Sequence, residues 1–138
     1  MRRTPIPSMF VVTLALPMIA EETTPNGRDL ILRYCAKCHG DDAVGSQGNT
    51  TTPAPDLTKI VERRGSVWPM LEVMSIMDGY TKATETRSDM PVVSELTEGA
   101  QIEFDTGNGI SVAASANLIA VVLYLESIQS PKPERCVQ

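Results

Sequence analysis

Histidine appears once in the 138 residues and cysteine three times. A structural zinc centre needs four soft ligands, and no second Cys/His cluster supplies the missing ones, so that class of site is excluded. Aromatic side chains are also sparse: one Trp, three Tyr and two Phe, which leaves few large groups to fill a core. Basic residues are outnumbered, with twelve Lys and Arg against seventeen Asp and Glu and a net charge of −5. That balance argues against binding to nucleic acid or to an anionic membrane surface. The apolar run from Met9 to Ile19 covers eleven residues and contains Thr13 and Pro17, short of the roughly 20 that a membrane span requires. Internal repeats are absent, and the length suits one domain.

What is present begins with a leader. Arg2 and Arg3 precede the apolar run, and the small residue Ala20 stands before Glu21 and Glu22. This order is that of a secretory signal peptide over residues 1–20, cleaved near Ala20, with a single mature domain over 21–138. Loss of Arg2 and Arg3 leaves ten basic residues against seventeen acidic ones, a net −7. The expected compartment is the periplasm, where disulfides are permitted.

Two of the three cysteines and the one histidine fall together in "YCAKCHGDD", Tyr34 to Asp42. Cys-x-x-Cys followed directly by His is the attachment signature of a c-type haem. A thioredoxin-like redox pair would need a βαβ context that the chain lacks. The spacing has a geometric reason: on a helix, residues three and four apart share a face, so Cys35, Cys38 and His39 can all meet one flat partner. Each thiol can join a haem vinyl group as a thioether, while an imidazole nitrogen of His39 takes the iron. One covalently attached haem c would also make good the shortage of aromatic core.

Along the mature chain, Thr24 and Pro25 are placed to open a first helix that runs through Leu30, Ile31 and Tyr34 into the motif and stops near Gly40. Residues 45–55 are rich in Gly, Ser, Thr and Pro and form a loop. Asp56 can cap a short helix to Arg64, closed by Gly65. Ser66 can cap a third helix that ends at Gly79 and carries Met70, Met74 and Met77 as a packing stripe. In "QIEFDTGNGISV" the apolar residues alternate on both sides of Asn108-Gly109, which reads as a short β-hairpin with a solvated turn. A last helix from about Ser115 to Ile128 should cross the first one at Gly27. Cys136 remains over, on a tail after Pro131 and Pro133, as a reactive thiol or, alternatively, a lipid-free structural thiol with no role; the chain is expected to be monomeric, with a disulfide dimer through Cys136 as the alternative.

The ordered set Gly27, "CAKCH", "APDL" (Ala54 to Leu57), a Trp-bearing helix, "MP" (Met90, Pro91) and a terminal helix with Tyr124-Leu125 resembles the class I c-type cytochromes over nearly all of the mature length. The resemblance implies an all-α class: a small cytochrome c fold of three to five helices around one haem, here with the hairpin inserted before the last helix. It implies that the Pro55 carbonyl receives the hydrogen bond of the second ring nitrogen of His39, that Met90 is the other axial iron ligand, and that Leu57, Trp68 and Tyr80 line the haem pocket. The implied activity is single-electron transfer between a redox donor and a redox acceptor protein, with no catalysis by the chain itself. The alternatives are a haem subunit of a larger dehydrogenase or oxidase complex and, if Met90 leaves the iron open, a haem peroxidase or ligand sensor. No second histidine exists to serve such a peroxidase as acid and base.

Overall fold

Asn26 caps the first helix: its side-chain oxygen accepts from the backbone N–H groups of Arg28 and Asp29 at 3.0 and 3.4 Å, donors that the helix itself leaves unpaired. The expected cap, Thr24, lies two residues too early. The structure, a computed structural model, describes residues 24–45, 54–79 and 90–134; the leader, Tyr80 and Cys136 fall outside these.

Helix α1 (Gly27–Tyr34) stops one residue short of the expected continuation, and a single further turn, α2 (Ala36–His39), follows after Cys35. Gly40, at φ +78°, ends that turn. Asp56 accepts from the Thr58 N–H at 2.8 Å and caps a 3₁₀ turn (Leu57–Lys59), which passes into α3 (Ile60–Arg63). Helix α4 (Met70–Met77) starts later than expected. Ser66 is not its cap. Pro69 disfavours helical backbone at the residue before it, so Trp68 stays outside. Met70, Val73, Met74 and Met77 are all buried along one stripe of α4.

The short α5 (Ser94–Thr97), for which the sequence carried no signal, buries Leu96. Strands β1 (Gln101–Asp105) and β2 (Ser111–Ser115) pair antiparallel with Phe104 opposite Val112 and Ile102 opposite Ala114. Their turn is held from within: Asp105 accepts from Gly107 N–H at 2.8 Å, and Asn108 accepts from the Thr106 hydroxyl at 2.7 Å. β2 runs straight into α6 (Ala116–Ser127). Ser115 ends the strand and caps the helix, accepting from Leu118 N–H at 3.1 Å while its hydroxyl donates to the Leu96 carbonyl.

Helix α6 is apolar around most of its circumference because most of it is covered: Leu118, Ile119, Val121, Val122 and Leu125 are buried. It packs on α1 where Gly27 is indispensable, since a Cβ there would run into the Ala120 carbonyl and the Tyr124 side chain. One apolar cluster joins Ile31 and Cys35 to α4, Leu96, Ala114 and α6.

The all-α expectation, a small cytochrome c fold of three to five helices, is therefore corrected. The described residues form six α-helical segments and a two-stranded antiparallel sheet, a mixed α/β arrangement. Two causes account for the difference. The break at Cys35 divides one expected helix, and the hairpin is a layer of the core, with Ala114 buried and Phe104 and Val112 packed against the cluster. Among the described residues, no helix is long and apolar enough to cross a membrane.

Candidate functional site

Cys35 is the joint between α1 and α2, and its backbone serves both. Its N–H donates to the Ile31 carbonyl at 2.8 Å, and its carbonyl accepts from the N–H groups of Cys38 and His39 at 3.1 and 2.9 Å. The motif is thus one turn hung from the end of the helix that packs on α6. Cys35 and Cys38 are free thiols, the first buried in the apolar cluster and the second half-buried. Burial, with a smaller contribution from Cys38, pushes the Cys35 thiol above its ordinary pKa. Desolvation has this sign because an apolar surrounding disfavours the thiolate.

His39 is 7 % exposed. Its Nδ1 lies 2.9 Å from the Pro55 carbonyl oxygen. A carbonyl can only accept, so Nδ1 carries a proton, and in the neutral ring the lone pair is that of Nε2. A buried imidazole with a fixed tautomer and an unprotonated Nε2 is what a metal-ligating histidine requires.

Pro55 has no N–H of its own, so its carbonyl is placed by its neighbours. On one side the loop after the motif folds back: Gly45 N–H donates to the His39 carbonyl at 2.8 Å, and Leu57 N–H donates to the Ala43 carbonyl at 2.8 Å. Gly45, at φ +94°, lies so close to Ala54 and Pro55 that a Cβ would stand 2.6 Å from the Ala54 carbonyl oxygen. On the other side Arg63 donates to the Asp56 carbonyl at 2.8 Å. The buried Gln129 donates from Nε2 to the Leu57 and Leu125 carbonyls at 2.8 and 2.7 Å and accepts from Val61 N–H at 3.0 Å. Gln129 escaped the sequence reading because a lone glutamine behind an apolar helix resembles a surface residue; only its three backbone partners distinguish it.

The other expected site residues are more loosely tied. Leu57, Trp68 and Met90 are partly buried and pack against the apolar cluster. Trp68 Nε1 is shielded from solvent and has no acceptor among the described residues, a deficit that costs about 1–3 kcal/mol when it stays unmet. Met90, which as a loop methionine had no packing reason in the sequence, has one in the structure. Tyr80 lies outside the described residues. Among these residues no group of three or more His, Cys, Asp or Glu converges to hold a metal ion.

Cys35, Cys38 and His39 with its free Nε2 suit a haem joined to both thiols. The unmet Trp68 donor suits an anionic group such as a propionate carboxylate, so the residues present fit this cofactor. In comparisons with known proteins, no family model, no curated protein and no solved structure matches the chain.

Proposed function

We propose that the chain is an exported, periplasmic electron carrier that holds one haem c through thioethers at Cys35 and Cys38, with the residue pattern of the class I c-type cytochromes. The observation that carries this reading is the buried His39, whose Nδ1 is bonded to the Pro55 carbonyl so that the neutral ring offers Nε2 as its donor atom, directly after the Cys-x-x-Cys pair. When bound, the haem supplies an iron that takes up and gives back single electrons. The chain does the rest. His39 Nε2 would bind the iron while Pro55 holds the Nδ1 proton in place, Cys35 and Cys38 would anchor the ring edge, and Trp68 would donate to a propionate. Met90 would supply the second protein ligand to the iron in this reading, and a thioether there would favour the ferrous state and so raise the potential. Electron donor and acceptor proteins would dock in brief encounters in which electrostatics set the rate. The chain is taken to be monomeric, with Cys136 as the residue through which a disulfide dimer would form.

A second reading draws on Met90. Because its side chain packs on the core, it can be a structural residue instead of a ligand, and the site then binds small molecules at an open position. One experiment separates the readings. The full chain is exported from cells that carry a c-type haem maturation system, and the product is examined by denaturing mass spectrometry and visible spectroscopy. Covalent haem that disappears in the Cys35→Ala, Cys38→Ala double variant supports attachment, and a chain without haem refutes it. Carbon monoxide binding by the reduced wild type would select the open-site reading.

A further inference from the structure

The bond that fixes His39 ends on a residue that cannot anchor itself. Pro55 lacks an N–H, and the structure holds its carbonyl through the two residues that follow. Leu57 is the key: both of its backbone groups are bonded, the N–H to Ala43 beside the motif and the carbonyl to Gln129 Nε2 at 2.8 Å. Gln129 is 2 % exposed and spends its whole amide on backbone. Its remaining bonds reach Val61 N–H in α3 and the Leu125 carbonyl in α6. The neighbouring Ser130 N–H donates to the Thr58 carbonyl at 2.9 Å, and Lys59 Nζ returns a bond to the Ser130 carbonyl at 2.8 Å. The end of α6 is thereby stitched to the segment that presents Pro55.

We propose that Gln129 is a positioning residue for His39: it acts through Leu57 to hold the Pro55 carbonyl against Nδ1, and so sets how strongly His39 Nε2 donates to a metal. A buried side-chain amide with three backbone partners is costly to disturb, because its removal leaves several groups unsatisfied at once. The same feature makes it a stiff link. None of the three hydrogen bonds of Gln129 goes to His39, and the shortest bonded route between them is the segment from Pro55 to Leu57. A firm Nδ1–H···O bond gives the imidazole more anionic character, and a loosened one gives it less. Gln129 therefore stabilises the oxidised metal, and its loss raises the potential. This inference rests on the haem reading only for that last step; the link from Gln129 to His39 belongs to the chain alone.

The test compares Gln129→Met, which keeps the bulk and removes the amide, with Val122→Ala, which damages α6, the helix that leads to Gln129, at a fully buried position away from the link. Both variants are made in the full chain as isolated and read by NMR and redox titration. The expected result is that exchange of the His39 Nδ1 proton and of Leu57 N–H rises about tenfold in Gln129→Met, as loss of a buried hydrogen bond implies for a local opening. The potential should rise as well. In Val122→Ala, overall stability falls while both signatures stay at the wild-type level. If Gln129→Met does not accumulate, Gln129→Asn reads the same quantities, since its amide is one methylene too short to reach both Leu57 and Val61. Unchanged exchange in the Gln129 variants, or equal changes in Val122→Ala, would overturn the inference. A wild-type chain that carries no haem would refute the proposed function instead, while the exchange measurement would still decide the role of Gln129.

Discussion

His39 and Met90 are held in different ways. His39 is nearly inaccessible and fixed at two levels, its ring by Pro55 and its backbone by Cys35 and Gly45. Met90 is half-buried and is placed by packing against the apolar cluster, next to residues 80–89 outside the described structure. Hydrogen bonds specify direction, whereas apolar contact specifies only proximity. The His39 side is therefore a geometry that one atom's loss breaks, and the Met90 side is one that a similar side chain can repair.

Breaking the first side should cost most. His39→Ala removes a buried ring and leaves the Pro55 carbonyl without its donor, so denaturant unfolding should show a loss of about 3 kcal/mol; a change below about 1 kcal/mol would mean that the bond does not organise the loop. Trp68→Phe sharpens the contrast by asking whether the lone Nε1 has a partner in the working protein. With a haem propionate accepting from it, the variant should lose about 1–2 kcal/mol, and a variant as stable as the wild type would argue that no anion is there. Met90→Ala, on the loosely held side, should lose about 1 kcal/mol because the residue is only partly buried. Its larger effect should be spectroscopic: the far-red sulfur-to-iron band of the oxidised protein disappears, the potential falls, and reduced protein binds carbon monoxide. Survival of the band would remove Met90 from the iron.

The smallest effect concerns pH. The folded Cys35 thiol titrates above its ordinary range because it is buried. As pH rises past about 8.5, the unfolded chain loses that proton first. Stability present below that pH therefore drains away as pH rises toward the folded value. Urea midpoints of the chain with free thiols should fall as pH rises past about 8.5 and should flatten in Cys35→Ala; an identical slope in that variant would assign the loss to other groups.

The features legible in the sequence were the ones encoded within a few residues. Asp56 caps where its side chain suggested, the Asn108-Gly109 pair marks the turn between β1 and β2, and Gly27 stands at the α1–α6 crossing. The failures were failures of context. Thr24 and Asn26 are both competent caps, and only the helix that forms chooses between them. Cys35 belongs to a helical pattern but stands at its break. The hairpin read as an insertion because its alternation shows one apolar face without showing what covers it; the burial of Ala114, with Phe104 and Val112 on the same face packed against the cluster, makes that face part of the core and, with the break at Cys35, overturns the all-α class. Of the site, Cys35, Cys38 and His39 could be read as a motif and Pro55 as its partner by resemblance. The unmet Trp68 donor and the Gln129 link depend on distances between segments, which no spacing rule carries.

The Gly27 crossing has a kinetic consequence. It joins residues near the two ends of the described chain, Gly27 against Ala120 and Tyr124, and contacts so far apart in sequence form only after a long loop has closed. The first helix therefore lacks its α6 partner until the last helix has formed. Closure of the crossing is thus a late step, and it completes the apolar cluster to which Cys35 belongs.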